Sequence, residues 1–185
     1  YPEQLEYLNT LSEEELDPYG GFSALEAIYL KAAKATCDFY IDNTPTDGIP
    51  YWDTGAPNLH KLGDYFSRAS DPYNDFEPID SSAAAIAAQG LLRLGKYLGD
   101  EGTRYWQAGL TVLDSLLQAP YLSEDPDHQG LLLHTIYHQP NGWDYVPPGS
   151  KIPYGESCMW GDYHLREVTL YAQRIIKNET YYTFY

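Results

Sequence analysis

Aromatic rings and carboxylates occur side by side in three short segments of this chain. The segments are PYWDTGAPN at Pro50–Asn58, IYHQPNGWDY at Ile136–Tyr145 and YGESCMWGDY at Tyr154–Tyr163. An aromatic face packs on the apolar C–H side of a pyranose, while Asp, Asn and His side chains hydrogen-bond its hydroxyl groups. These three segments therefore predict a carbohydrate-binding surface.

Metal chemistry has little support in the sequence. His134 and His138 are four residues apart, which suits a metal pair, but no third ligand of matching spacing follows. The two cysteines, Cys37 and Cys158, show no metal-ligand spacing and are too few for a disulfide framework. We expect free thiols and neither a metal nor another cofactor.

The charge balance excludes several classes of partner. The chain has 27 acidic and 11 basic residues, a formal net charge of −16. Nucleic acids and anionic membrane surfaces both require a basic footprint on the protein, so neither is expected as a partner. No apolar run approaches the ~20 residues of a membrane span, and the first ten residues lack the features of a signal peptide. A cytoplasmic protein is expected, with a secreted protein as the alternative.

Apolar residues at helical spacing predict an all-α fold. The predicted helices cover residues 23–43, residues 102–118 and residues 158–177. A further helix is the alanine- and leucine-rich run SSAAAIAAQGLLRLGKYL, which follows Asp80 as its N-cap. Ser23 and Glu26 have the spacing of a capping box at the start of the first helix. Residues 1–21 are expected to form an irregular or short-helical lead-in.

Two long irregular segments, Thr44–Ile79 and Ala119–Ser157, separate these helices. Their aromatic content favours order and function, and the apolar run Leu131–Tyr137 suggests a strand or a helical turn. If successive helices are antiparallel, both segments lie at one end of the fold, beside the helix starts near Asp80 and Trp160. Helical hairpins with one functional rim favour an α/α toroid over a four-helix bundle, whose loops are mostly short.

Four motifs resemble, in order, the C-terminal half of the unsaturated glucuronyl hydrolases, glycoside hydrolase family 88. They are PYWDTGAP at Pro50–Pro57, DSSAAAIAAQGLLRL at Asp80–Leu94, LLLHTIYHQPNGWDY at Leu131–Tyr145 and SCMWGDYHLREVTLYAQR at Ser157–Arg174. The resemblance implies that residues 1–185 form one partial domain, the C-terminal half of a six-hairpin (α/α)6 barrel.

The resemblance also implies an activity. Family members remove a 4,5-unsaturated uronic acid from the non-reducing end of lyase-generated oligosaccharides by hydrating its double bond, with an aspartate as general acid and base. The family's two key aspartates lie in its N-terminal half, and nothing in this sequence matches them. An oligosaccharide with an unsaturated uronate end is the expected ligand, and a missing N-terminal half or self-association is the expected protein partner. The segment alone is expected to be inactive.

Most candidate site residues follow from the same resemblance. Tyr137 and His138 match a pair that the family places near the uronate, and Ser157 lies where family members select sulfated or unsulfated substrates. Trp160 is expected to stack on sugar and Asp162 to orient the ligand or a neighbouring base, rather than to donate the proton. Structural alternatives are a loop histidine for His138, a helix N-cap for Ser157, a core position for Trp160 and a capping role for Asp162.

The remaining candidates are Trp52 and Asp53, which would either stack on sugar or anchor their loop. A second reading of the whole chain stays open beside the enzyme. In that reading the chain is a noncatalytic helical carbohydrate-binding or scaffold module that binds an oligosaccharide through the same aromatic residues.

Overall fold

The computed structural model describes residues 1–181, so the last four residues of the predicted single partial domain, 182–185, lie outside it. Six α-helices are formed within the described residues: α1 Pro2–Leu8, α2 Glu13–Leu16, α3 Gly21–Asp42, α4 Ser81–Leu98, α5 Thr103–Leu116 and α6 Met159–Ile176. Residues 1–181 contain no β-strand, only isolated bridges. The all-α prediction is confirmed.

Helix α4 is the centre of the fold and packs against both α5 and α6. Asp80 is its N-cap, as the sequence predicts, and accepts the backbone N–H of Ser82 at 3.0 Å. Small and branched apolar side chains fill the core along this helix: Ala84, Ala85, Ala88, Leu91, Leu92 and Leu94 are all at most 1% exposed.

Glycines let α4 and α5 meet closely at the end of the hairpin. A Cβ atom on Gly95 would lie 2.7 Å from the backbone nitrogen of Trp106, and one on Gly102 would lie 2.2 Å from the carbonyl oxygen of Gly95. Any larger residue at either position would push the two helices apart. This contact fixes the tight-turn end of the molecule.

The predicted capping box at Ser23 and Glu26 is wrong. Helix α3 begins two residues earlier, because Gly20 and Gly21 adopt left-handed backbone conformations with φ of 92° and 80°. Ser23 therefore lies inside the helix, and Glu26 accepts a hydrogen bond from the hydroxyl of Tyr97.

The lead-in is folded onto α4. Leu5 and Leu8 of α1 are buried, and Arg93 of α4 pairs with Glu6 at 2.5 Å and with Glu3 at 3.7 Å. The side chain of Arg93 is only 5% exposed. Two acidic side chains therefore balance a charge that would be costly to bury alone.

The two long loops meet at the N-terminus of α4. The N–H of Asp80 donates to the carbonyl of Pro50 at 2.9 Å, and the N–H of Ser81 donates to the carbonyl of His134 at 3.1 Å. The first contact comes from one loop and the second from the other, so both lie at the end opposite the tight turn. We call this end the rim.

The apolar run Leu131–Tyr137 forms neither a strand nor a helical turn. Leu132 makes an isolated bridge with Leu122, and the N–H of Thr135 donates to the carbonyl of Glu156 at 3.0 Å. The run is apolar because Leu132, at 0% exposure, is part of the core. No helix within residues 1–181 combines the length and apolar character of a membrane span.

Candidate functional site

Three aromatic rings form a row on the rim. The ring centroids of Trp160 and Tyr137 lie 5.3 Å apart with planes tilted by 36°, and those of Tyr137 and Trp143 lie 5.8 Å apart with a tilt of 31°. Tyr137 is 57% exposed and Trp143 is 62% exposed, whereas Trp160 is partly buried. We call these three residues the aromatic platform. His138 flanks it, with its ring 5.0 Å from that of Trp143.

A chain of hydrogen bonds fixes the inner end of the platform. The indole N–H of Trp160 donates to the hydroxyl oxygen of Ser82 at 3.1 Å, and that hydroxyl donates to Asp80 at 2.6 Å. The same oxygen of Asp80 also accepts the N–H of Ile136 at 3.3 Å, the residue before Tyr137. The N-cap of α4 thus joins the first turn of α6 to the loop that carries Tyr137.

A second carboxylate fixes the outer end. Asp144 accepts the backbone N–H of Tyr137 at 2.5 Å through one oxygen and the N–H of His138 at 2.9 Å through the other. His138 in turn accepts the N–H of Asn141 through Nδ1 at 3.3 Å. These bonds fold the segment from Tyr137 to Asp144 into a closed loop and bring Trp143 back beside Tyr137.

Burial raises the pKa of Asp80, the carboxyl group beneath the platform. Hydrogen bonds from Ser82 and from the N–H of Ile136 act in the opposite direction and offset part of this effect. The carboxylate of Asp80 is therefore engaged in holding backbone and hydroxyl groups.

Asp162 holds the loop that precedes the platform. Its Oδ1 accepts the N–H of Leu132 at 2.8 Å, and both of its oxygens lie 3.0 Å from the N–H of Leu131. It also lines a surface groove of about 600 Å³ along α6, together with Met159 and Tyr163. The structure therefore gives Asp162 a backbone-binding role beside Trp160.

Ser157 also binds the loop backbone. Its hydroxyl donates to the carbonyl of Leu132 at 2.7 Å, and its side chain occupies the space where a Cβ atom on Gly130 would lie. The N-cap of α6 is the next residue, Cys158, whose Sγ accepts the N–H of Gly161 at 3.4 Å.

Trp52 and Asp53 lie within the first long loop. The indole N–H of Trp52 donates to Glu77 at 2.7 Å, and the other oxygen of Glu77 accepts the N–H of Asn58 at 2.6 Å. Glu77 is 2% exposed, so the ring of Trp52 is held by a buried carboxylate. Asp53 closes a local turn by accepting the N–H of Gly55 at 2.6 Å.

His134, the other half of the histidine pair, is buried behind the rim. It is 2% exposed, its backbone φ is 65°, and its Nδ1 accepts the N–H of Gly155 at 3.1 Å. Burial lowers the pKa of His134 to about 4, although a hydrogen bond with the carbonyl of Pro120 offsets part of the effect. The imidazole is therefore neutral at pH 7.

No cluster of three or more His, Cys, Asp or Glu side chains in residues 1–181 is arranged to hold a metal ion. Both cysteines are free thiols, as the sequence predicts: Cys37 is buried and Cys158 is partly buried.

Three residues that organise the rim, namely Ser82, Trp143 and Asp144, are not individual candidates in the sequence, although Trp143 and Asp144 belong to the predicted carbohydrate-binding segment Ile136–Tyr145. One signal for two of them was present, because the dipeptide Trp143-Asp144 repeats Trp52-Asp53 in an equally aromatic loop. Ser82 carried no comparable signal, since its contact with Trp160 joins residues far apart in the chain.

Curated relatives of the chain share one name. An unsaturated glucuronyl hydrolase of Formosa agariphila is 31% identical over 150 residues, which cover 80% of this chain and 31% of that protein. One from Bacillus sp. strain GL1 is 27% identical over 148 residues, covering 78% of this chain and 33% of the relative. The chain thus spans about a third of the length of these relatives. No family model matches it.

Solved structures agree with these relatives. The crystal structure of the unsaturated glucuronyl hydrolase from Bacillus sp. GL1 superposes with a TM-score of 0.60 at 27% identity, over 81% of this chain and 34% of that one. A Streptococcus agalactiae enzyme of the same name, complexed with dGlcA-GalNAc6S, superposes with a TM-score of 0.54 at 24% identity, over 78% of this chain and 32% of that one. The chain thus has the helical fold of part of an α/α toroid, and it is related to the unsaturated glucuronyl hydrolases.

Proposed function

We propose that this chain supplies the sugar-binding rim of a glycoside hydrolase that acts on lyase-generated oligosaccharides. The reaction is removal of the 4,5-unsaturated uronic acid from the non-reducing end, by hydration of its double bond. The observation that carries the proposal is the row of Trp160, Tyr137 and Trp143, in which Tyr137 and Trp143 are exposed and Trp160 is partly buried. The Bacillus relative is described as responsible for the degradation of glycosaminoglycan, which supports the same substrate class for this chain.

The rim has the chemistry of a sugar contact. Tyr137 and Trp143 expose more than half of their surface, and the flat faces of such rings pack on the C–H side of a pyranose. His138, which is exposed beside them, offers a ring nitrogen to hydroxyl groups. The ligand we propose is an oligosaccharide with an unsaturated uronate end.

Catalysis needs a carboxyl group that is free to protonate the double bond, and the rim carboxylates are already engaged in hydrogen bonds. Asp80, Asp144 and Asp162 all accept backbone N–H groups. We therefore propose that the general acid and base lies outside this chain, and that Asp162 supports the loop beside Trp160.

The engagement of these carboxylates also favours a second candidate function, a noncatalytic carbohydrate-binding module. In that case the aromatic platform binds the oligosaccharide and no complementary segment completes an active site. The two candidates share the ligand and differ in turnover.

One assay separates the candidates. Unsaturated disaccharide is added to the 185-residue chain alone and to the chain mixed with the N-terminal two thirds of the Formosa agariphila relative, and the absorbance of the double bond is followed. The chain alone should bind the disaccharide but turn it over about 100- to 10,000-fold more slowly than a complete family enzyme. Turnover by the mixture supports the hydrolase, whereas binding without turnover in the mixture supports the binding module. Rapid turnover by the chain alone contradicts an external general acid, and failure to bind contradicts both candidates.

The Trp160→Ala variant tests whether the platform is the binding surface. Loss of one stacked ring should weaken saccharide binding about fivefold, corresponding to about 1 kcal/mol. Phe39→Ala removes another exposed ring, 56% exposed on α3, and should leave the affinity unchanged. Equal effects of the two variants would place the ligand elsewhere.

A further inference from the structure

The outer ring of the platform depends on a single side chain. Trp143 is 62% exposed, and its ring contacts are with Tyr137 and His138, on the other side of the closed loop. The loop is closed by Asp144, which accepts the N–H groups of Tyr137 and His138 through separate oxygens. The position of Trp143 therefore follows from the hydrogen bonds of its neighbour.

The inner part of the platform is held independently of Asp144. Trp160 is tied to Ser82, Ser82 to Asp80, and Asp80 to the N–H of Ile136. The backbone N–H groups of the three successive residues from Ile136 to His138 thus donate to two different carboxylates, those of Asp80 and Asp144. Loss of Asp144 should release Trp143 while Trp160 and Tyr137 stay in contact.

The length of the platform is suited to more than one sugar. Its three rings are separated by 5.3 Å and 5.8 Å, and each separation is comparable with the width of one pyranose. The planes of neighbouring rings in the row are tilted by 36° and 31°. One sugar ring packed near Trp160 and Tyr137 leaves Trp143 for the next.

We propose that Asp144 is a positioning residue that holds Trp143 as a contact for a second sugar, so that the rim prefers a longer oligosaccharide to a disaccharide. This proposal rests on the proposed function as far as the ligand is concerned. The placement of Trp143 by Asp144 rests on the hydrogen bonds alone.

The test compares an unsaturated disaccharide with the corresponding tetrasaccharide, both from lyase digestion of an unsulfated glycosaminoglycan. The wild-type 185-residue chain should bind the tetrasaccharide about 3- to 10-fold more tightly, the effect of one additional stacked ring. Asp144→Ala should abolish that preference, so that the tetrasaccharide binds no more tightly than the disaccharide. Asp144→Asn keeps one acceptor oxygen and should retain part of the preference.

A matched control is available in the same long loop. Asp125, which is exposed where Asp144 is half-buried, likewise accepts a backbone N–H, that of Asp127 at 2.9 Å. Asp125→Ala should therefore behave as wild type in both titrations. Equal weakening by Asp125→Ala and Asp144→Ala would overturn a specific role for Asp144.

A double-variant cycle separates positioning from general loosening of the loop. If Asp144 acts through Trp143, the double variant Trp143→Ala/Asp144→Ala should bind the tetrasaccharide no more weakly than Trp143→Ala alone. Additive losses would overturn the proposal, because they would require Asp144 to contribute by another route.

A spectroscopic measurement decides the placement without any sugar. Near-ultraviolet circular dichroism should change in Asp144→Ala, because Trp143 leaves its contact with Tyr137, while far-ultraviolet circular dichroism should stay as in wild type. An unchanged near-ultraviolet spectrum overturns the placement. If this spectrum changes but the wild type binds neither saccharide, the proposed function fails and the placement of Trp143 by Asp144 still holds.

Discussion

The indole N–H of Trp160 donates a hydrogen bond to the hydroxyl oxygen of Ser82 at 3.1 Å, across 78 residues of sequence. Ser82 belongs to the first turn of α4 and Trp160 to the first turn of α6, so this contact joins the starts of two helices. The orientation of an aromatic ring on the rim is therefore set by the N-terminus of the central helix.

Substitution of Ser82 should expose this dependence. Ser82→Ala removes the acceptor of the Trp160 indole and a donor to Asp80, and Ser82 is 1% exposed. Buried polar groups left without a partner typically cost about 1 to 3 kcal/mol. We expect a loss of that size in the free energy of unfolding, measured by urea denaturation, together with weaker saccharide binding.

The control for this variant is Ser23→Ala, at an exposed position inside α3. It should change the free energy of unfolding little, because alanine is a good helix former and Ser23 is exposed to solvent. A loss as large as that of Ser82→Ala would show that the effect is not specific to the contact with Trp160.

Asp162 should prove important for stability. Its carboxylate accepts the N–H groups of Leu131 and Leu132, and hydrogen bonds to a charged group contribute more than neutral ones. Asp162→Ala should lower the free energy of unfolding by about 1 to 3 kcal/mol, and Asp162→Asn by less. Thermal denaturation of both variants beside Asp125→Asn is the measurement; an unfolding midpoint like that of wild type for Asp162→Ala would refute the backbone role.

Stability should depend on His134 in mildly acidic solution. Its pKa falls from 6.5 to about 4 on folding, so the folded protein binds the proton more weakly than the unfolded chain does. The stabilisation is fully present above pH 6.5 and is lost as the pH falls from 6.5 towards 4. The shift in pKa corresponds to a loss of up to about 3 kcal/mol in the free energy of unfolding over this pH range.

The variant that isolates this effect is His134→Asn, because asparagine tolerates the left-handed backbone at this position and does not titrate. Urea denaturation between pH 7 and pH 4 should show a shallower loss of stability in the variant than in wild type. Groups around the imidazole are the tyrosines Tyr73, Tyr121 and Tyr154, with Asp47 beyond Tyr121. Parallel pH curves would exclude His134 as the source.

An apolar groove between α5 and α6 should make the isolated chain bind hydrophobic molecules and other apolar surfaces. The groove has a volume of about 360 Å³, and its apolar lining includes Leu110, Leu113, Leu117, Ala172 and Ile176. Exposed apolar grooves of this kind bind other apolar surfaces. The chain should bind a hydrophobic dye, and Leu117→Glu should reduce that binding.

Ile28→Glu gives the comparison, since Ile28 is 62% exposed on α3, outside the groove. This variant should bind the dye as wild type does. A wild-type chain that sediments as a compact monomer and binds no dye would contradict the prediction.

The helices could be predicted because their signals are local. Asp80 followed by the alanine- and leucine-rich run gives both the cap and the buried face of α4, and the structure shows both. The start of α3 was misplaced by two residues, because the left-handed glycines Gly20 and Gly21 outweighed the spacing of Ser23 and Glu26.

The detail of the rim could be predicted only in part. The approach of Trp160 and Tyr137 followed from antiparallel helices and from the motifs. The role of Asp144 could not be predicted, because its partners are backbone N–H groups, which every residue type except proline has and which the sequence therefore does not mark. Loop closure of this kind depends on backbone geometry that residue spacing alone does not determine.

The most direct test of the account uses the indole N–H resonances of the four tryptophans of the chain, Trp52, Trp106, Trp143 and Trp160. Unsaturated disaccharide and tetrasaccharide are titrated into the ¹⁵N-labelled chain, and the four signals are followed by NMR. We predict that the signal of Trp160 shifts with both saccharides and that of Trp143 with the tetrasaccharide, while that of Trp106, which packs against α4 at the tight-turn end, stays in place. Shifts confined to Trp106, or no shift at all, would contradict a sugar-binding rim.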